Sequence, residues 1–389
     1  MTELLLDPTR IDHALECALA PSLEAIGTTH TCSAIQAAVA TLDGQRYHRA
    51  LGQTSFETDA VPVARHTPFD IASVTKALVG ATLAMQAIDR GLARWETPLG
   101  ELFAPWRKHP DPRAADVTFL HLLNHTSGLP AWHKYYLEYP LNPSAETARV
   151  TRQAIVTRIC QTPLCGAPGA IYAYSDLGYI LLASVLETVF DAPLAELAQT
   201  RIFDPLKLSQ TRYVWPERGD APLENAVATE RCALRGRVVQ GSVHDENTEI
   251  IGGVSCHAGV FSTADDLLRF GLHLLAIDQG HPVDAPLMSR ETLRFAWSAQ
   301  ASMAGGNHRG GWDTPSGATS SAGAGFAPDA TVGHLGFTGT SLWLERERGV
   351  VSILLTNRVY PTRENARIKA TRVDVQEAVI PPTPIALTH

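Results

Sequence analysis

Charge is scarce in this chain of 389 residues: Asp, Glu, Lys and Arg make up 19%, and 40 acids against 32 bases leave a net charge of −8. Without a basic footprint, neither nucleic acid nor an anionic lipid surface is an expected partner. Long apolar runs are missing as well. The hydrophobic stretch Ala77 to Ile88 stops well short of the roughly 20 residues that cross a bilayer, so no membrane span is expected. The first residues, Met-Thr-Glu-Leu-Leu-Leu-Asp-Pro-Thr-Arg, carry an acid where a secretory signal has a basic segment, and the expectation is a cytoplasmic protein.

Cysteine is sparse. Cys17, Cys32, Cys160, Cys165, Cys232 and Cys256 form no C-x-x-C pair, which argues against a zinc knuckle or redox dithiol and for buried free thiols. No Gly-x-Ser-x-Gly elbow and no phosphate-binding glycine loop occur. His121 and His125 are four apart but lack the Glu of His-Glu-x-x-His, so neither metal nor cofactor is expected.

What is present is a globular composition, 45% hydrophobic, in a chain long enough for more than one subdomain. Helical spacing covers residues 8–26, broken at Pro21, and Ser73 to Arg90 is apolar nearly all round, ending at Gly91. Leu177 to Phe190, Leu194 to Phe203 and Ala264 to Ile277 read as further helices. Strand-like runs lie at both ends: Cys32 to Leu42 and Gln45 to Leu51 around Asp43-Gly44, then Thr331 to Gly336, Thr340 to Glu345 and Val350 to Asn357. The Gly/Ser/Ala-rich stretch Met303 to Gly325 reads as a flexible loop before the closing strands. The economical arrangement is α+β: one antiparallel sheet assembled from both termini, with flanking helices and an inserted, mainly helical subdomain. One catalytic domain, 1–389, is expected, with approximately 1–80 and 215–389 as α/β subdomain and 81–214 as helical subdomain.

Three local features carry chemistry. Ser73 heads the apolar helix in Phe69-Asp70-Ile71-Ala72-Ser73-Val74-Thr75-Lys76, and Lys76 lies three residues on, on the same face. A lysine there is costly to bury unless paired, and activating a serine is one use for it; a serine cap followed by a snorkelling lysine has the same pattern. Tyr174, in Tyr174-Ser175-Asp176, precedes a helix whose N-terminal dipole favours negative charge, so its phenol can relay a proton; it can equally be a packing residue with Asp176 as N-cap. Gly333-His334-Leu335-Gly336-Phe337-Thr338-Gly339 punctuates a strand with glycines, permitting close backbone approach to a ligand or a bulge in a core sheet.

Together, in this order, the three motifs resemble the serine β-lactamase and penicillin-binding-protein superfamily, specifically its class C branch and the β-lactamase-like carboxylesterases. The likeness extends to Leu122-Leu123-Asn124-His125-Thr126-Ser127-Gly128-Leu129-Pro130, His257-Ala258-Gly259-Val260-Phe261-Ser262-Thr263 and Leu354-Leu355-Thr356-Asn357-Arg358, and spans roughly residues 30 to 380. It implies a β-lactamase-like fold, with the family's serine at Ser73, its lysine at Lys76 and its tyrosine at Tyr174. The family's Lys-Thr-Gly element falls on His334-Leu335-Gly336, and the implied oxyanion hole is the backbone N–H pair of Ser73 and Phe337.

Three departures bear on the reaction. Asp176 replaces the usual Asn and exchanges an amide donor for an acceptor able to pair with Lys76. His334 replaces a lysine, which would make nearby positive charge depend on pH around neutrality. Leu335 removes a hydroxyl that helps hold the acid group of a β-lactam or peptide. A small-molecule ester, amide or acyl donor therefore fits better than a β-lactam or cell-wall peptide. Trp132 and Tyr135, with Tyr136 and Tyr139, can wall an acyl pocket or simply pack between helices. The expected activity is hydrolysis through an acyl-Ser73 ester, with acyl transfer or a stalled, sensor-type acyl-protein as alternatives.

Overall fold

The computed structural model describes residues 5–302, 305–317 and 320–382. The chain opens with α1 (Pro8–Ala18), begun by Asp7, whose side chain accepts from the N–H groups of Thr9 and Arg10. β1 (Ala34–Thr41) and β2 (Arg46–Gly52) form a hairpin, and the short β3 (Phe69–Asp70) leads to Ser73. From there a π-type turn (Lys76–Ala81) runs into α2 (Thr82–Asp89). Helices α3 (Leu99–Leu102), α4 (Phe119–Leu123), α5 (Ala145–Ile159), α6 (Asp176–Phe190) and α7 (Leu194–Ala198) follow. Next come β4 (Arg212–Tyr213), β5 (Ala228–Cys232), β6 (Arg237–Gln240), α8 (Glu246–Ile250), β7 (Val260–Ser262), α9 (Ala264–Gln279) and α10 (Arg290–Ala296). The chain closes with β8 (Thr331–Gly336), β9 (Thr340–Glu345), β10 (Val350–Thr356) and α11 (Ile368–Val379).

The main sheet is antiparallel in the order β2-β1-β10-β9-β8, so the two ends of the sequence meet at β1 and β10, with Ala38 opposite Ile353. Alternation along β1 divides it between two cores. Ile35, Ala37 and Val39 pack with Ile11, Leu15, Val375 and Val379 of α1 and α11; Ala34, Ala38 and Ala40 belong to the larger core with Leu267, Phe270 and Leu274 of α9. Burial on both faces explains why this strand carries no polar stripe. Gly271 lets α9 come close: a Cβ there would lie 2.6 Å from Val351 Cγ1.

The structure departs from the sequence reading in a few places. The opening helix ends at Ala18 because Ala20 precedes Pro21, and the pre-proline residue disfavours helical backbone. Ser175, not Asp176, caps α6, accepting from Gly178 N–H. All six cysteines are free, but Cys17 and Cys165 are exposed, with the other four buried. Met303, Ala304, Ala318 and Thr319 lie outside the described residues; among the others of the small-residue stretch, Trp312 is stacked on Phe270 and Ala322 lies in the core beside α11.

Candidate active site

Ser73 sits on a turn held from three sides. Ile71 N–H donates to Val260 O of β7 (3.1 Å), while the Asp70 carboxylate accepts from Ala72 N–H (2.8 Å) and His244 N–H (2.7 Å). Ala72 is forced to φ +46, a left-handed conformation costly for a residue with a Cβ. The turn then enters the helix, which points Lys76 inward beneath Ser73.

Lys76 is completely buried, and its ammonium donates to Ser73 Oγ (2.9 Å), Asp176 Oδ1 (2.7 Å) and His257 O (3.2 Å). Burial alone would lower its pKa, but the charge of Asp176 and the neighbouring Tyr174 outweigh it and hold the pKa above the ordinary value. The ammonium also lies 4.8 Å from the centre of the Tyr174 ring. Burial raises the pKa of the Tyr174 phenol, against the lowering effect of Lys76 and Ser73. At neutral pH the site therefore holds a charged lysine and a protonated phenol.

Tyr174 owes its position to the segment Asn124 to Gly128. His125, itself at φ +58, accepts at O from Ala173 N–H (2.9 Å) and at Nδ1 from Ser175 N–H (2.9 Å). Ser175 Oγ donates to Pro130 O, and Asp176 N–H donates to Ala131 O. The motif read by resemblance alone is thus the cradle of the Tyr174 loop.

The end of β8 is pinned against the serine turn by two hydroxyls: Thr338 donates to Asp70 O (2.7 Å) and Thr340 to Ile71 O (3.0 Å). Gly336 is required there, since a Cβ would fall 2.5 Å from Ile71 O and 1.9 Å from Thr340 Oγ1. Two guanidiniums fix the next carbonyls, Arg372 donating to Gly336 O (2.7 Å) and Arg358 to Phe337 O (2.7 Å). Ser73 and Phe337 consequently border one pocket of about 500 Å³, together with Tyr174, Asp176, Trp132 and Leu335.

Two expectations are corrected. His334 does not face this pocket: its ring is buried beside Tyr174 and His308, with Nδ1 paired to Leu335 O. Burial, with His308 and Lys76 nearby, pushes its pKa well below the ordinary value, so it is neutral and supplies no pH-dependent cation. Tyr135 is buried in the main core under the Arg158 guanidinium and does not wall the pocket, because the 3-10 turn Tyr135–Leu137 directs it inward. Trp132, 43% exposed, does border it.

Several residues at the site carry no signal in the sequence. His308 arrives from a distant loop to pair with Tyr172 Oη (3.0 Å) and, with His125 and His334, encloses the Tyr174 ring. Arg372 and Asp245 likewise join the pocket from distant segments, whereas His257 and Arg358, which also line it, lie in stretches already read by resemblance. Glu230, Cys232 and Glu246 lie close enough to share a cation, but the Arg363 guanidinium already bridges the two carboxylates.

Comparisons with known proteins identify the family to which the chain belongs. The Beta-lactamase family model matches residues 22–377. An N-acetylmuramyl-L-alanine amidase of Bacillus subtilis is 27% identical over 313 residues, 75% of this chain and 68% of the relative. A putative D-alanyl-D-alanine carboxypeptidase of Escherichia coli K12 is 27% identical over 310 residues, 75% of this chain and 69% of its own. Among solved structures, EstCE1, a hydrolase with promiscuous acyltransferase activity, covers 95% of this chain and 97% of its own with a TM-score of 0.69 at 19% identity. Simvastatin synthase from Aspergillus terreus covers 97% and 98% with a TM-score of 0.68 at 18% identity. These last two show likeness of fold. The chain belongs to the Beta-lactamase family, the serine hydrolases of the β-lactamase and penicillin-binding-protein type.

Proposed function

We propose that the protein hydrolyses a small ester or amide through a covalent acyl-Ser73 intermediate, with weak or no β-lactamase activity. The observation that carries this reading is the buried Lys76 ammonium, 2.9 Å from Ser73 Oγ and 2.7 Å from Asp176 Oδ1, beside a pocket that Ser73, Asp176 and Phe337 line. Ser73 Oγ attacks the acyl carbon as its proton passes to the phenolate form of Tyr174, which Lys76 stabilises. The tetrahedral oxyanion accepts from the N–H groups of Ser73 and Phe337. Tyr174 returns the proton to the departing alkoxide or amine. A water molecule then attacks the ester, releasing the acid and restoring the Ser73 hydroxyl. His334 stands behind Tyr174, as a neutral ring that helps fix the phenol.

Pre-steady-state hydrolysis of p-nitrophenyl butyrate tests the reading. A nitrophenol burst equal to enzyme concentration, absent from Ser73→Ala, is expected; turnover that survives this substitution would overturn it. Transfer of the acyl group to an alcohol or amine is the second reading. It is favoured by the open mouth of the pocket, where Phe337 is 49% exposed, and by the acyltransferase activity named for EstCE1. Added alcohol separates the two readings, since transfer diverts product from acid to a new ester.

A further inference from the structure

Two carboxylates that line the pocket carry acceptors that the chain leaves unused. Asp245 Oδ1 is saturated, accepting from Thr248 N–H (2.7 Å) and pairing with Thr248 Oγ1 (2.9 Å) and His257 Nε2 (2.9 Å). Among the described residues nothing donates to Asp245 Oδ2, and its carboxylate borders the pocket. Asp176 repeats the pattern, with Oδ1 on Lys76 and, among the described residues, no donor on Oδ2. The two are rigidly related, because His257 accepts from Lys76 through its carbonyl and holds Asp245 through its ring.

Trp132 lines the same pocket. Ala131 O accepts from Asp176 N–H, and His133 O accepts from Asn247 Nδ2 in the first turn of α8, so Trp132 is strung between Asp176 and the residues after Asp245. Its exposed ring adds a face suited to a cation. The guanidiniums that line the pocket are engaged elsewhere: Arg358 and Arg372 hold carbonyls at the β8 end, and Arg363 bridges Glu230 and Glu246. Glu246 is not free, being bound by Arg363.

Resting on the acyl-enzyme reading, we infer that Asp176 Oδ2, Asp245 Oδ2 and the Trp132 ring form a subsite for a protonated amine on the substrate's acyl portion. Two unused carboxylate oxygens reject a carbonyl or carboxylate at that position and reward a donor, most of all a charged one. The preferred acyl groups are therefore aminoacyl, with a free ammonium near the scissile carbonyl.

The test is a matched pair of p-nitroanilides, racemic alanyl and isobutyryl, which differ by an ammonium in place of a methyl. The wild type is expected to favour the alanyl compound at least tenfold in kcat/KM at pH 7, and less as the amine deprotonates above pH ~8. Asp245→Asn should cut that ratio fivefold or more, and Asp176→Asn should cut it too. Circular dichroism checks that each variant is folded. Equal turnover of both anilides by the wild type, or an unchanged ratio in folded Asp245→Asn, would overturn the subsite alone. No Ser73-dependent turnover of either anilide or of p-nitrophenyl butyrate would overturn the acyl-enzyme reading, and the subsite with it.

Discussion

Asp176 Oδ1 lies 2.7 Å from the Lys76 ammonium, and that lysine has no exposed surface at all. A buried charge is tolerable only when its partner is present, so the pair couples stability to chemistry. Asp176→Ala is expected to destabilise the protein by about 3–5 kcal/mol in chemical denaturation. The milder Asp176→Asn keeps the shape but removes the charge that raises the Lys76 pKa, and the pH–rate profile should move down by about one unit or more. An unmoved profile would mean that Asp176 does not set the protonation of Lys76.

Hydrolysis should accelerate with alkalinity. Because Tyr174 is held protonated at neutral pH, its base form becomes more abundant tenfold per pH unit up to at least its ordinary value near 10. The logarithm of kcat/KM for p-nitrophenyl butyrate, corrected for spontaneous hydrolysis, is expected to rise with a slope near one from pH 7 to 9. Tyr174→Phe should lose both the slope and at least a hundredfold in rate. A flat profile in the wild type would contradict the phenolate step.

Gly336→Ala tests the meeting of β8 with the serine turn. A Cβ 2.5 Å from Ile71 O must push the strand away from Ser73, at a cost of about 1–3 kcal/mol. Labelling by a fluorophosphonate should slow by more than tenfold in protein that remains folded at 25 °C. Normal labelling would show that the position of Phe337 N–H does not matter to acylation.

The buried histidines and Asp313 give stability opposite pH dependences. Burial lowers His308 from the ordinary 6.5 to about 3, so the folded state takes up fewer protons than the unfolded one below pH ~6.5. Its contribution is present above that pH and is lost on acidification, by about 1.4 kcal/mol per unit down to the folded value. Asp313 is raised by burial to about 7, so its contribution is present below pH ~4 and is lost as pH rises towards and through 7. Thermal denaturation should show a shallower acid limb in His308→Gln and a shallower neutral limb in Asp313→Asn. Variant curves parallel to the wild type across pH 4–8 would refute both assignments.

Much of the site was legible because its elements are local. Ser73 and Lys76 share one helical turn, Tyr174 stands one residue before the cap of α6, and Gly336 marks a strand end that needs close approach. The sheet was legible because the alternation and turn signals of β1, β2 and β8 to β10 survive in the sequence. What was hidden depends on partners far along the chain. His334 looks like an exposed switch until His308 closes over it, and no periodicity in the loop around residue 308 announces that. Tyr135 and Trp132 sit in one aromatic stretch, and only the fold decides which is buried. Asp245 becomes a pocket residue only through its contact with His257, whose carbonyl accepts from Lys76.

The central claim is that Ser73 is the activated nucleophile, and intact mass tests it most directly. Wild type and Ser73→Ala are each exposed to a fluorophosphonate ester and weighed. The account predicts one adduct on the wild type and none on Ser73→Ala. No adduct on the wild type, or the same adduct on both proteins, would contradict it.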